Sequence, residues 1–154
     1  MTVDTLVRAL IERRETVAAV ESLTGGLLAA TLVTVPGVSA VFRGGLVVYA
    51  TDLKVALAGV PEELLAERGP VDPDVAAALA RGGRERCRAD WGLSTTGVAG
   101  PDPQHGVPVG TVYVALAGRS SEVRKLTLAG DRAAIRAAAV DAALALLGEH
   151  LGVR

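Results

Sequence analysis

Apolar positions along this chain alternate between two rhythms. Residues 2–14 set Val3, Leu6, Leu10 and Ile11 on one side, with Arg8, Arg13 and Arg14 elsewhere, which is the period of an amphipathic helix. Residues 16–22 (TVAAVES) are a short apolar run that reads as a buried strand, and TGGLLAATLVTV from Thr24 returns to helix until Pro36 and Gly37 break it. A second strand is predicted over 44–50, a short helix from Asp52 to Ala58, and another from Pro61 to near Gly69. Asp72 before Pro73 is a capped helix start, and that helix runs to about Cys87 with Gly82 and Gly83 weakening its middle. A third strand covers Gly92 to Val98. Thr111–Ala117 and Val123–Leu128 read as a hairpin around residues 118–121, and Asp131 caps a closing helix to about Leu147.

The order α-β-α-β-α-α-α-β-β-β-α predicts an α/β fold: a three-layer α/β/α sandwich on a mixed sheet of about five strands. No linker or repeat divides residues 1–154, so one domain is expected. Half of the residues are hydrophobic and 21% are charged, which suits a packed core rather than disorder. A net charge of -1 and few aromatics argue against nucleic acid as a partner. The mixed residues Met1–Glu15 do not resemble a signal peptide, and no apolar run approaches the ~20 residues of a membrane span. One cysteine, Cys87, permits no internal disulfide. Together these features predict a cytoplasmic protein with no membrane association. Its oligomeric state is left open, a homo-oligomer included.

Chemistry concentrates in a few places. In Glu21-Ser22-Leu23-Thr24-Gly25-Gly26 a serine ends a strand, and two glycines open the next helix. Glycines let a substrate approach the backbone, and free N–H groups at such a turn can hold an oxyanion or phosphate. A plain helix cap with glycines for close packing is the competing reading. A nucleophilic serine needs a base. His105 lies in an irregular loop and His150 is near the end of the chain, so a Ser-His-Asp triad is not expected. The lysines are Lys54, flanked by Leu53, Val55 and Ala56, and Lys125, in a predicted hairpin where a solvated charge is ordinary. Burial of Lys54 would lower its pKa toward that of a useful base; a helix-surface charge is the alternative. The Tyr49 hydroxyl is placed to orient Lys54, relay a proton or simply anchor a strand end.

Arg132 and Arg136 share a helix face in the first turns. The helix dipole disfavours cations there, so either an anion binds or the arginines pair with neighbouring acids. Residues 94–97 (STTG) end a strand with hydroxyls and a glycine, and residues 99–110 (AGPDPQHGVPVG) form either a substrate loop or a disordered one. Two histidines and one cysteine, far apart, provide no metal-site spacing, and no dinucleotide or Walker fingerprint is present. Neither metal nor cofactor is expected.

ESLTGGLLAATLVTVPGVSAVFRGGLVVYATDLKVALAGV, GVAGP, PVGTVYVALAG and GDRAAIR together resemble the CinA C-terminal family, in order and over nearly the whole chain. Members hydrolyse the carboxamide of nicotinamide mononucleotide to nicotinate mononucleotide and ammonia. The resemblance implies a metal-free serine/lysine amidohydrolase in pyridine-nucleotide salvage. By position, Ser22 is then the nucleophile, Lys54 the base and Tyr49 an assisting group. Backbone groups of Thr24, Gly25 and Gly26 form an oxyanion or phosphate cradle, Thr96 and Gly97 line the substrate pocket, and Arg132 or Arg136 meets the phosphate. The chain departs from the family pattern at Leu23, where cysteine is frequent, at Val107, where lysine is frequent, and in the PDPQHG loop. It matches the stand-alone deamidase rather than the longer proteins with an added nucleotide-processing domain. Two other readings stay open: a non-catalytic nucleotide-binding or interaction module linked to competence and DNA damage, and an amidase for another small carboxamide.

Overall fold

The computed structural model describes all 154 residues. Its elements follow the predicted order: α1 (Val3–Arg13), β1 (Val17–Glu21), α2 (Leu27–Leu32), a short 3-10 turn (Val38–Ala40), β2 (Phe42–Val47), α3 (Thr51–Ala56), α4 (Glu62–Arg68), α5 (Pro73–Arg86), β3 (Trp91–Gly97), β4 (Thr111–Ala117), β5 (Glu122–Thr127) and α6 (Arg132–His150). The strands form one sheet in the order β2-β1-β3-β4-β5. β1 pairs in parallel with both β2 and β3, whereas β3, β4 and β5 are joined antiparallel. No helix is long and apolar enough to cross a membrane.

Alternation along the strands divides the core between two faces. Val17, Ala19, Leu93, Val112 and Val114 pack with Leu6, Leu10, Leu28, Ile135 and Leu147, so α1, α2 and α6 cover one face. Val20 packs with Val48, Ala58, Val75 and Leu79, and Ala115 and Ala117 with Ala76 and Ala80, so α3, α4 and α5 cover the other. Capping is where sequence indicated it: the Asp72 carboxylate accepts from the amides of Asp74 and Val75, and that of Asp131 from Ala134.

The paired glycines in α5 are explained by this packing rather than by weakness. A Cβ on Gly82 would lie 1.8 Å from the Ala58 carbonyl oxygen, and one on Gly83 would lie 2.2 Å from a Val20 methyl carbon. Bare backbone at both positions lets α5 lie flat on β1 and on the segment that follows α3.

Two boundaries move, and both moves matter for chemistry. The second strand ends at Val47, not at residue 50, because the chain turns away to begin α3 and frees the carbonyls of Val48 and Tyr49 from the ladder. α2 begins at Leu27, not Thr24: Gly25 and Gly26 adopt φ of +58° and +108° in a turn that precedes the helix. That left-handed geometry is what glycine supplies at low cost.

Candidate active site

β1 is the strand from which the chain departs to one side, to β2, and then crosses to the other side, to β3. The crevice outside the C-terminal end of such a strand is where open α/β sheets bind ligands. Ser22 is the first residue past that end. The ends of β2 and β3 deliver residues 48–54 and 98–104 to the same edge. β5 runs parallel to β3, being two antiparallel steps away, and brings the start of α6 there as well. A cleft results, lined by Ser22, Leu23, Tyr49, Lys54, Thr96, Gly97, Arg132 and the loop from Ala99 to Gln104.

Lys54 is 1% exposed, among the largest fully buried side chains of the protein. Its Nζ lies 2.9 Å from Ser22 Oγ, 2.8 Å from the Val48 carbonyl oxygen and 3.2 Å from that of Tyr49. Burial lowers its pKa from 10.5 to about 8, since desolvation penalises the charged amine. The contacts serve both forms. As an ammonium Lys54 donates to all three oxygens; once neutral it has two N–H groups for the carbonyls and a lone pair left to accept from the Ser22 hydroxyl. At pH 7 roughly a tenth of the molecules would carry neutral Lys54. Lys125, by contrast, is exposed on β5. Neither histidine lines the cleft, and no group of three or more His, Cys, Asp or Glu side chains could hold a metal ion.

The turn that carries Ser22 is held from several directions. The Glu21 carboxylate, 1% exposed, accepts from the amides of Leu28 at 2.7 Å and Ala29 at 3.0 Å, and so caps α2 from below in place of the missing cap at Gly26. Thr24 Oγ1 is 2.8 Å from Thr95 Oγ1 in the core. Within the turn, the Gly25 amide donates to the Ser22 carbonyl and the Leu27 amide to that of Thr24. The amides of Leu23, Thr24 and Gly26 have no acceptor within the chain.

Several expected roles change. The Tyr49 hydroxyl does not meet Lys54; its backbone carbonyl does, while the ring is 59% exposed and the hydroxyl accepts from Arg132 at 3.0 Å. Of the expected backbone cradle, Thr24 is fully buried, its amide included, and the Gly25 amide is already spent on the Ser22 carbonyl, which leaves the Gly26 amide. Thr96 lines the cleft, but its hydroxyl donates to the Pro70 carbonyl. Gly97 also lines it, although a Cβ there would lie 2.7 Å from the Thr111 carbonyl oxygen, so β4 is reason enough for the glycine.

The two arginines separate. Arg132 reaches the cleft and bridges it, donating to the Gly100 carbonyl at 2.7 Å and to Tyr49. Arg136 is absent from the cleft lining; its Nε and Nη2 each lie 2.9 Å from a carbonyl oxygen, those of Leu23 and Thr24. Residue pattern missed Glu21, although a carboxylate inside an apolar strand was an available signal. Asp102 and Gln104 in the cleft belong to the loop of residues 99–110, which the pattern offered as a substrate loop or a disordered one without singling out its side chains.

The model of the CinA C-terminal domain matches residues 2–151. A CinA-like protein of Frankia casuarinae is 53% identical over 143 residues, 92% of this chain and 33% of the relative. One of Geobacter sulfurreducens is 48% identical over 153 residues, 97% of this chain and 37% of the relative. The chain thus spans about a third of the length of these curated relatives. Among solved structures, a competence-damaged protein (CinA) superfamily protein of Klebsiella pneumoniae superimposes with a TM-score of 0.94 at 33% identity, covering 97% of this chain and 95% of the other. The competence/damage inducible protein CihA of Agrobacterium tumefaciens does so with 0.89 at 34% identity and the same coverage.

Proposed function

This chain is a member of the CinA C-terminal domain family, and we propose that it is a metal-independent serine amidohydrolase whose substrate is nicotinamide mononucleotide. The observation that carries the reading is the buried contact of Ser22 with Lys54, a lysine whose pKa burial has lowered to about 8.

The chemistry follows from the geometry. Neutral Lys54 takes the Ser22 proton as Oγ attacks the carboxamide carbon. The carbonyl oxygen gains charge, which the unpaired amide of Leu23, a residue that lines the cleft, is available to hold. The C–N bond then breaks as the Lys54 ammonium returns its proton to the departing nitrogen, releasing ammonia and leaving an ester on Ser22. Water attacks that ester with Lys54 again accepting a proton. The carboxylate product leaves and Ser22 regains its hydrogen. Arg132, exposed at the mouth of the cleft with N–H groups beyond the two it uses, is the group for the 5′-phosphate. Arg136, which does not line the cleft and faces the carbonyls of Leu23 and Thr24, is not.

Purified protein incubated with nicotinamide mononucleotide should release ammonia and nicotinate mononucleotide in equal amounts, and Ser22→Ala should release neither. Turnover of a different carboxamide with none of the mononucleotide would keep the serine/lysine chemistry and replace the substrate.

A further inference from the structure

Arg136 grips two consecutive carbonyls in the turn that follows Ser22, and what lies on the other side of those peptide groups gives the contact a chemical meaning. Nε donates to the Leu23 carbonyl. The same peptide group carries the Thr24 amide, which has no acceptor in the chain. Nη2 donates to the Thr24 carbonyl. That peptide carries the Gly25 amide, which donates to the Ser22 carbonyl at 3.1 Å, and the Ser22 peptide in turn carries the unpaired Leu23 amide. Thr24 is fully buried, so its amide stays inside the turn; the guanidinium pins that peptide and stands at the head of one relay, which ends on the free Leu23 N–H beside Ser22.

Hydrogen bonds in series polarise one another, and a charged donor at the head strengthens every N–H downstream. The amide of the residue after a nucleophilic serine is a recurrent oxyanion donor, and here that residue, Leu23, lines the cleft. We propose that Arg136 is a positioning residue which holds the turn after Ser22 and orients and polarises the Leu23 amide toward the oxyanion of the acyl-transfer step. The inference rests on the amidohydrolase reading of Ser22. It gives Arg136 a part in the rate of bond making and none in nucleotide affinity. Arginine suits this role because two carbonyls side by side need a planar fork with a fixed charge, which lysine cannot present.

The test uses an activated ester, so that it does not depend on the substrate assignment. With p-nitrophenyl acetate, Ser22 Oγ bonds to the acetyl carbon, the bond to p-nitrophenolate breaks, and the serine proton passes to Lys54. The phenolate absorbance reports each event, and Ser22→Ala sets the background. Arg136→Gln should slow acylation about tenfold to hundredfold, less than the ~100- to 1,000-fold for removal of an oxyanion donor itself. The pH at half-maximal rate should stay where it is in the unaltered protein, because Lys54 is untouched. Arg136→Lys should fall between the two. Guanidinium at tens of millimolar should restore part of the rate to Arg136→Ala and none to Ser22→Ala. With nicotinamide mononucleotide, Arg136→Gln should lower kcat while KM changes little.

Acylation of Arg136→Gln at the unaltered rate would overturn the proposal. So would a slowed rate that guanidinium does not restore and that follows a lowered thermal midpoint, since a merely structural strut behaves that way. If unaltered protein is acylated no faster than Ser22→Ala, the reading of Ser22 as a nucleophile fails and takes this proposal with it. If it is acylated yet leaves the mononucleotide intact, only the substrate assignment fails.

Discussion

Lys54 and Lys125 are the chain's two lysines, and they serve opposite halves of one sheet. Lys54 follows β2 at the C-terminal ends of the parallel strands. There loops from three strands and the start of α6 converge, the amine is buried, and two backbone carbonyls face it. Lys125 stands exposed on β5, opposite Tyr113 in the register with β4. The charges around it form ion pairs near the surface, with Arg124 reaching Glu122 at 2.7 Å and Glu149 at 2.5 Å. Such pairs contribute little to stability in water. A lysine acquires chemistry from the end of the sheet to which it is delivered. The parallel crossovers build that end, and the antiparallel hairpin supplies buried faces for the core and the turn into α6.

The largest effects should come from breaking the first half of this contrast. Ser22→Ala and Lys54→Ala should each lower deamidation by at least about a thousandfold, and the double variant should be little worse than either, because groups that act as a unit are not additive. Lys54→Arg should fail as well, since guanidinium remains charged. Lys125→Ala should turn over at the unaltered rate. Equal losses at the two lysines, measured as ammonia release, would dissolve the comparison.

A smaller effect sharpens the contrast between neighbours on α6. Arg132→Ala should raise KM for the mononucleotide roughly tenfold to hundredfold, the scale of a lost charged contact. Nicotinamide riboside, which lacks the phosphate, should be a poor substrate for the unaltered protein and no poorer for the variant. An unchanged KM ratio between the two substrates would return Arg132 to a purely structural bridge between Gly100 and Tyr49.

A change in stability, with no direct part in turnover, comes last. Glu21→Ala removes a buried acceptor from the amides of Leu28 and Ala29 and should cost about 2–3 kcal/mol, as for hydrogen bonds to a charged group. Chemical denaturation would read it as a lower midpoint with the same slope. A midpoint equal to the unaltered one would mean that α2 does not depend on that cap.

Sequence carried the helix starts at Asp72 and Asp131 because a cap and its amides lie within three residues of each other. It carried the hairpin and element order for the same reason: both are local patterns. Tertiary contacts were not legible in this way. Gly82 and Gly83 looked like faults in a helix until Ala58 and Val20 were seen against them. Arg136 looked like an anion ligand because its acceptors, the carbonyls of Leu23 and Thr24, lie more than a hundred residues earlier in the chain. The approach of Lys54 to Ser22 crosses 32 residues, and periodicity had no means to express it. Only resemblance to the CinA C-terminal family joined the two before the fold did. Tyr49 shows the converse: it meets Lys54 through its backbone carbonyl rather than its hydroxyl, and a backbone carbonyl leaves no trace in residue type.

The dependence of kcat/KM on pH tests the central claim most directly. Lys54 acts as base only when neutral, and its lowered pKa of about 8 means that this form accumulates as pH rises. Deamidation of nicotinamide mononucleotide should therefore increase about tenfold per pH unit below that value and level off above it, with the same midpoint for acylation by the activated ester. The sign of the stability change agrees: the unfolded chain binds the Lys54 proton up to about 10.5 and the folded one only to about 8. Folding should gain stability between these values. A rate independent of pH from 6 to 9 would contradict the account, and so would one that falls as pH rises through 8, because neither allows a neutral Lys54 to take the proton from Ser22.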